Sequence, residues 1–358
     1  MGLPYNRPSE LIQPLRLTSR LPRSPTLNEM IRRMDSKTQP ILCCIGESVA
    51  AQPTQFLMER AFASQALDWR ALTVEVAAEE FSDAVRGTWA MHFHALRLFA
   101  PLDVLMLDEM QVEDPAARFV GRVTSAALGK EAWEVWDNVG FATFELGTSR
   151  YPDGAAGPPT IWWMHGNTAQ NRSLFSAFCA LGQFPERWLW TEAPQEFPTE
   201  LLQVIPAEQF DERCFAEGTE LGLKLLQQWL LLTSNEASSN EVAETEADDA
   251  QSESQNSTDA SQMGESNSDQ TPERPALFII GDAVPVAAGV KEILSASSAR
   301  HALTPDISLA ADLAEFVWDR IAAAELAVAQ EAYDFHRWTG QVADLNLLRD
   351  AYDEYSDF

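Results

Sequence analysis

Short apolar runs alternate with amphipathic stretches along most of this chain, and that alternation limits the possible fold more than any other feature. Residues 40–44 (PILCC) form a brief apolar run closed by Gly46, the pattern of a buried strand. Phe56, Met58, Ala61, Phe62 and Ala66 then recur at near-helical spacing behind Pro53, which predicts a helix over 53–65. Residues 71–76 predict a strand, 78–85 a helix stopped by Gly87, 90–98 a second alternating strand, and LDVLMLDEM after Pro101 another helix. A second unit opens near Thr160, where TIWWM predicts a strand, HGNT a turn, 172–181 an amphipathic helix and 187–190 the next strand. The apolar stretch 221–232 predicts a helix, ALFII at 276–280 resumes the sheet, and the chain is expected to be helical from Leu309 onward. Strand and helix in alternation point to an α/β fold rather than segregated α+β. With 358 residues, 46% of them hydrophobic, the chain can fill two cores of ordinary size.

One segment breaks the pattern. Residues 233–275 carry eleven Asp and Glu against the single Arg274 and almost no large apolar side chain. Such a stretch buries too little surface to offset its ordering entropy, so it is expected to be a disordered acidic insertion inside the second domain. Its net −10 is a large part of the −29 of the whole chain, leaving about −19 elsewhere. A surface that negative repels phosphate backbones and anionic lipid, so neither nucleic acid nor membrane is an expected partner.

Cys43, Cys44, Cys179 and Cys214 have neither paired metal-ligand spacing nor the density of a secreted disulfide scaffold. They are expected to be reduced thiols in a cytoplasmic protein, with Cys43 and Cys44 on opposite faces of one strand. Residues 1–36 are basic and Pro-rich without the apolar run of a signal peptide, and are read as a disordered tail or an overcalled start ahead of Met34. No eighteen-residue apolar stretch occurs that would span a membrane. His92 and His94, two residues apart on an expected strand, have the spacing of a metal half-site, but no third ligand follows; paired strand histidines without metal are the favoured reading. Trp133, Trp136, Trp162 and Trp163 could stack on a planar ligand, although filling a core is the commoner role.

Gly46, Phe62, Leu67-Asp68-Trp69, residues 74–76, Ala84, Gly87 and Pro101 fall in an uninterrupted register that resembles the substrate-binding domain of the shikimate dehydrogenase family. Glu325-Leu326, Gln330, Phe335 and Trp338-Thr339-Gly340 resemble the same family's C-terminal helix, which returns to the substrate cleft. The resemblance implies a two-domain α/β fold. Residues 37–140, completed by 325–358, would form the substrate-binding domain, and 141–324 a Rossmann-like nucleotide-binding-type domain. It also implies NADP-dependent interconversion of 3-dehydroshikimate and shikimate, within aromatic amino acid biosynthesis.

Within that frame the functional positions differ. Gln52 and Thr54 stand where the family's serines bind the shikimate carboxylate, and Arg97-Leu98-Phe99 where an Asn-Val-Thr reads the substrate hydroxyls. Asp103 replaces the Lys of the catalytic pair, Asp137 in Val135-Trp136-Asp137 keeps its Asp, and Gln330 keeps a substrate-site Gln. The glycine-rich dinucleotide turn falls on Met164-His165-Gly166-Asn167, and Glu192 occupies the place of the Arg that pairs with a 2′-phosphate, which disfavours NADP relative to NAD. An ionised Asp103 can neither donate a proton nor stabilise an alkoxide, so the family reaction is expected to be lost and the fold retained for binding a small carboxylate or a protein partner. The alternative is an NAD(P)-dependent oxidoreductase on another hydroxy acid, with Asp137 and Lys130 or Arg97 handling proton and carboxylate. Arg97 could grip a ligand carboxylate bidentately, or pair with Asp103 or Asp137 and close the site. No metal is expected, and a homodimer is possible.

Overall fold

The structure, a computed structural model, describes residues 39–109, 112–150, 160–185, 187–203, 205, 215–216, 224–227, 229, 276–281, 290–296, 300–303, 313, 316 and 318–357. The expected N-terminal tail, the acidic insertion at 233–275 and Cys214 lie outside the described residues.

The first sheet is built from β1 (Ile41–Gly46), β2 (Arg70–Glu75), β3 (Ala95–Leu98), β4 (Ser125–Leu128) and β5 (Trp133–Trp136), in the order β2-β1-β3-β4-β5. β2 and β3 lie parallel to β1, whereas β4 and β5 join as an antiparallel hairpin. Helices α1 (Thr54–Ser64), α2 (Phe81–Ala90), α3 (Leu102–Glu109) and α4 (Pro115–Val120) connect these strands. Side chains alternate across a strand, so adjacent cysteines part company. Cys44 packs with Leu42, Phe62 and Phe335, while Cys43 packs with Ile45, Phe81 and Leu96 on the other face.

α5 (Asn138–Arg150) leads to a second sheet of β6 (Thr160–His165), β7 (Arg187–Thr191), β8 (Phe215–Ala216), β9 (Ala276–Gly281), β10 (Arg300–Leu303) and β11 (Trp318–Arg320). Its order is β11-β10-β9-β6-β7-β8 and every paired neighbour is parallel. That is the doubly wound nucleotide-binding order, with the strand sequence reversing direction between β6 and β9. Strands covered on both faces read as continuous apolar runs. Ile161, Trp162, Trp163 and Met164 are accordingly fully buried, as are Leu277 to Ile280, so these tryptophans are core residues. α6 (Ala169–Leu181), α7 (Thr199–Leu202) and α8 (Val290–Ala296) accompany this sheet. α9 (Ala323–Thr339) then returns to the first sheet, and α10 (Leu345–Ser356) ends the described chain.

Several expectations need correction. Gly87 does not stop α2, which continues to Ala90, because a glycine inside a helix costs stability without forbidding the conformation. The helix ends where Met91, His92 and Phe93 donate their N–H groups back to Gly87, Trp89 and Thr88, with His92 at φ 56°. Those bonds take residues 91–94 out of any strand, so β3 begins only at Ala95 and the histidine pair is not on a strand face. His92 is exposed, whereas half-buried His94 lies edge-on to Trp69 at 5.9 Å. The chain after Leu309 is not continuously helical either, since β11 precedes α9. Of the helix expected over 221–232, residues 224–227 and 229 are described and helical.

Candidate functional site

α9 meets the first sheet in a buried polar network that draws on β3, the start of β4 and the end of β5. β3 presents Arg97, α1 presents Thr54 in its first turn, and α9 presents Gln330 and Glu331 and, one turn on, Asp334. Arg97 is 7% exposed at its side chain. Its Nε lies 3.5 Å from Glu331 Oε1, and its Nη1 lies 3.7 Å from Asp334 Oδ2. Nη1 also faces Thr124 O and Ser125 Oγ at 3.3 Å, and Nη2 donates to Gln330 Oε1 at 3.3 Å. Phe99 lies beneath the guanidinium, 5.3 Å from ring centroid to Cζ. Arg97 therefore pairs with neither Asp103 nor Asp137. Its anionic partners arrive on a helix more than 230 residues away in sequence.

Asp334 is fully buried and accepts hydrogen bonds from Ser125 Oγ (2.6 Å), Trp136 Nε1 (2.7 Å) and Asn138 Nδ2 (2.6 Å). Burial pushes its carboxyl upward, while Arg97 and these three donors pull it back. Glu331 accepts from Thr54 Oγ1 at 2.7 Å through Oε1, and its Oε2 is buried with no hydrogen-bond partner among the described residues. Burial pushes the Glu331 carboxyl up to about 7, against the opposing pull of Arg97 and Thr54 and with a further push from Asp334.

Asp137, just after β5, forms a separate arm of the network. Its Oδ2 accepts from Arg122 Nε at 2.6 Å and its Oδ1 from Val139 N at 2.9 Å. Asp103 is buried near the same pair, with Oδ1 lacking a hydrogen-bond partner among the described residues. Burial raises its carboxyl, Arg122 lowers it and Asp137 raises it. Lys130 is exposed in the turn of the β4–β5 hairpin, at the opposite end of β5 from Asp137, and does not reach it. Gln52 is exposed in the loop before α1, so of the two serine-replacing residues only Thr54 enters the buried network.

The second arrangement lies at the carboxyl end of β6. Gly166 (φ 82°) turns the chain into α6, and Thr168 caps that helix by accepting from Asn171 N at 3.0 Å. The Gly166 carbonyl accepts from Asn171 Nδ2 (2.8 Å) and Trp190 Nε1 (2.9 Å). Asn167 Oδ1 accepts from Arg172 Nη1 at 3.1 Å, and Arg172 Nε donates to Val120 O of α4 at 3.3 Å. Gly281 closes β9 at φ 147°, where an added Cβ would overlap the His165 carbonyl. Exposed Glu192 has φ 57°, and His165 Nε2 lies 3.9 Å from its Oε2. A dinucleotide turn places glycines where the pyrophosphate meets the backbone. Here only Gly166 remains, and Asn167 in the turn is tied to Arg172 of α6, which is itself bonded to Val120 of the first unit. These residues do not fit the glycine cradle of a dinucleotide.

Among the described residues no group of His, Cys, Asp and Glu is arranged to hold a metal ion, and no helix is long and apolar enough to cross a membrane. Sequence reasoning missed Arg122, Asn138, Glu331 and Asp334. The available signal was that Glu331 and Asp334 are acidic positions on the otherwise apolar inward face of a helix already identified through Gln330, and a buried carboxylate implies a partner.

No protein-family model matches the sequence, and no curated protein matches it. Solved structures do match. Shikimate 5-dehydrogenase of Listeria monocytogenes, in complex with shikimate and NAD, is 12% identical with a TM-score of 0.53, over 87% of this chain and 96% of that one. Shikimate 5-dehydrogenase of Thermus thermophilus, in complex with shikimate, is 12% identical with a TM-score of 0.51, over 89% and 100%. Shikimate dehydrogenase of Aquifex aeolicus is 12% identical with a TM-score of 0.50, over 87% and 97%. Across nearly the full length of those proteins, and with both sheets in the order described above, this chain has the two-domain α/β fold of the shikimate dehydrogenases.

Proposed function

We propose that this protein is a shikimate-dehydrogenase-like protein that binds a small molecule in the cleft against α9 and does not catalyse the dehydrogenase reaction. The observation that carries this reading is that the cleft's charged groups are engaged with one another: Arg97 with Glu331 and Asp334, and Arg122 with Asp137. Reduction of a carbonyl requires a group poised to give a proton to the forming alkoxide. Asp137 is held as an ion pair at 2.6 Å, Asp103 offers a carboxyl where an ammonium would stabilise developing negative charge, and Lys130 is out of reach. The turn at Gly166 adds a second deficit, because a nicotinamide dinucleotide supplies the hydride and the turn lacks the glycines that seat it.

The test is a coupled absorbance assay of the full chain with 3-dehydroshikimate and either NADPH or NADH, together with saturation-transfer NMR for each dinucleotide. We expect no turnover and no dinucleotide binding. Turnover at a rate typical of enzymes overturns the reading.

A second reading, an oxidoreductase with a changed substrate, is favoured by one observation. Arg172 stands in the first turns of α6 and pairs with no carboxylate among the described residues, so it is suited to a phosphate-bearing ligand. Dinucleotide binding in the NMR experiment would select this alternative.

A further inference from the structure

Glu331 sits against the two groups of the cleft best able to receive a carboxylate. Thr54 Oγ1 donates to it at 2.7 Å from the first turn of α1, and Arg97 Nε faces it at 3.5 Å. The same guanidinium also faces Asp334 at 3.7 Å, so one cation already serves two buried carboxyl groups. An external carboxylate entering here would be a third acid on one Arg and would lose its hydration without a counter-charge. One polar atom of this cluster has no hydrogen-bond partner among the described residues: Glu331 Oε2, on a side chain 5% exposed, whereas Arg97 Nε is turned to Glu331 Oε1. Asp103 Oδ1, on the neighbouring arm, is a second such atom in a buried residue. Buried polar atoms without partners are rare enough to call for an explanation. Both are carboxyl oxygens, to which a ligand hydroxyl can donate, whereas a ligand carboxylate can only accept. Gln330 and Phe99, both half-buried, flank Arg97.

We propose that Glu331 determines the ligand class of this cleft: its own carboxyl group fills the place against Thr54 and Arg97 that a ligand carboxylate would otherwise take, so the cleft selects an uncharged, hydroxylated molecule over a carboxylate. This rests on the binding-protein reading and makes it more specific.

The test uses one ring in two charge states, shikimate and its methyl ester, titrated calorimetrically into the full-length wild type, Glu331→Ala and Glu331→Gln. The wild type is expected to bind the ester at least about tenfold more tightly than the acid, and both variants to gain about tenfold or more for the acid. Glu331→Gln preserves volume and the bond from Thr54, so it decides the matter if Glu331→Ala does not fold by circular dichroism. A wild type that prefers the acid overturns the assignment, as does a Glu331→Gln that gains nothing for the acid. Absence of binding by either ligand to every protein also overturns it. NADH- and NADPH-dependent turnover is followed in the same samples. Turnover with the expected selectivity removes the non-catalytic reading alone, whereas lost selectivity without turnover removes only the role of Glu331.

Discussion

Glu331 is a carboxyl group surrounded by Thr54 on α1, Arg97 on β3, Asp334 on its own helix and Cys44 on β1, and burial there disfavours its charge. Its folded value of about 7 lies above the ordinary 4.5, so between those two pH values the folded state keeps a proton that the unfolded state has released. Stability must therefore fall as pH rises through that window and level off above it, with a contribution of roughly 3 kcal/mol. Glu331→Gln removes the titration while keeping an acceptor for Thr54. Urea melts at pH 4.5 and pH 8 are expected to show the variant gaining stability over wild type at the higher pH, and an equal difference at both would refute the assignment of this proton. The same neighbourhood shows how far residues could be understood from sequence. Arg97, Asp103, Asp137, Thr54 and Gln330 do converge on one region, but the partner of each cation was not readable, because Arg97 finds Glu331 and Asp334 only after α9 folds back.

Among the elements, α5 and α6 approach closely enough to constrain composition. A Cβ on Gly140 would run into the Ser173 carbonyl, and Gly140 N donates to Ser173 Oγ at 2.8 Å. One helical turn pair further on, Gly147 gives the same clearance to the ring of Trp162, which is locked among Phe144, Phe178 and Phe278. Gly140→Ala gains up to about 1 kcal/mol in helix propensity, yet the opposing atoms are backbone and cannot turn aside. A net destabilisation of about 1–3 kcal/mol is expected in the denaturation midpoint. An unchanged midpoint would mean that the two helices are not in contact as described. Elements with strong periodicity, such as α1, β6 and α6, matched their expectation closely. The end of α2 did not, because three backbone bonds at residues 91–93 and a left-handed His92 outweighed an alternating pattern that looked like a strand.

At the scale of the whole molecule, α9 belongs to both cores. Phe335, Val328 and Trp338 pack into the first, with Leu42, Phe62 and Trp136, while Leu326 and Ala329 pack into the second, with Trp162, Phe175 and Ile280. Phe335→Ala, at a fully buried position, is expected to cost about 3–5 kcal/mol. Hydrogen exchange should then accelerate in β6 of the second sheet as well as in β1 of the first, and protection lost in β1 alone would show that α9 does not couple the two cores. The amino-acid sequence by itself determined the alternation of strand and helix, the opposite facing of Cys43 and Cys44 and the turn at Gly166, since all of these follow from local periodicity or turn chemistry. Only the tertiary structure decided that Glu331 takes the position facing Thr54 and Arg97, that Arg122 neutralises Asp137, and that Lys130 lies beyond the reach of either. The physical reason is separation: the Arg97 pairings join groups more than 230 residues apart, and their strength depends on burial and mutual distance, which no local pattern encodes.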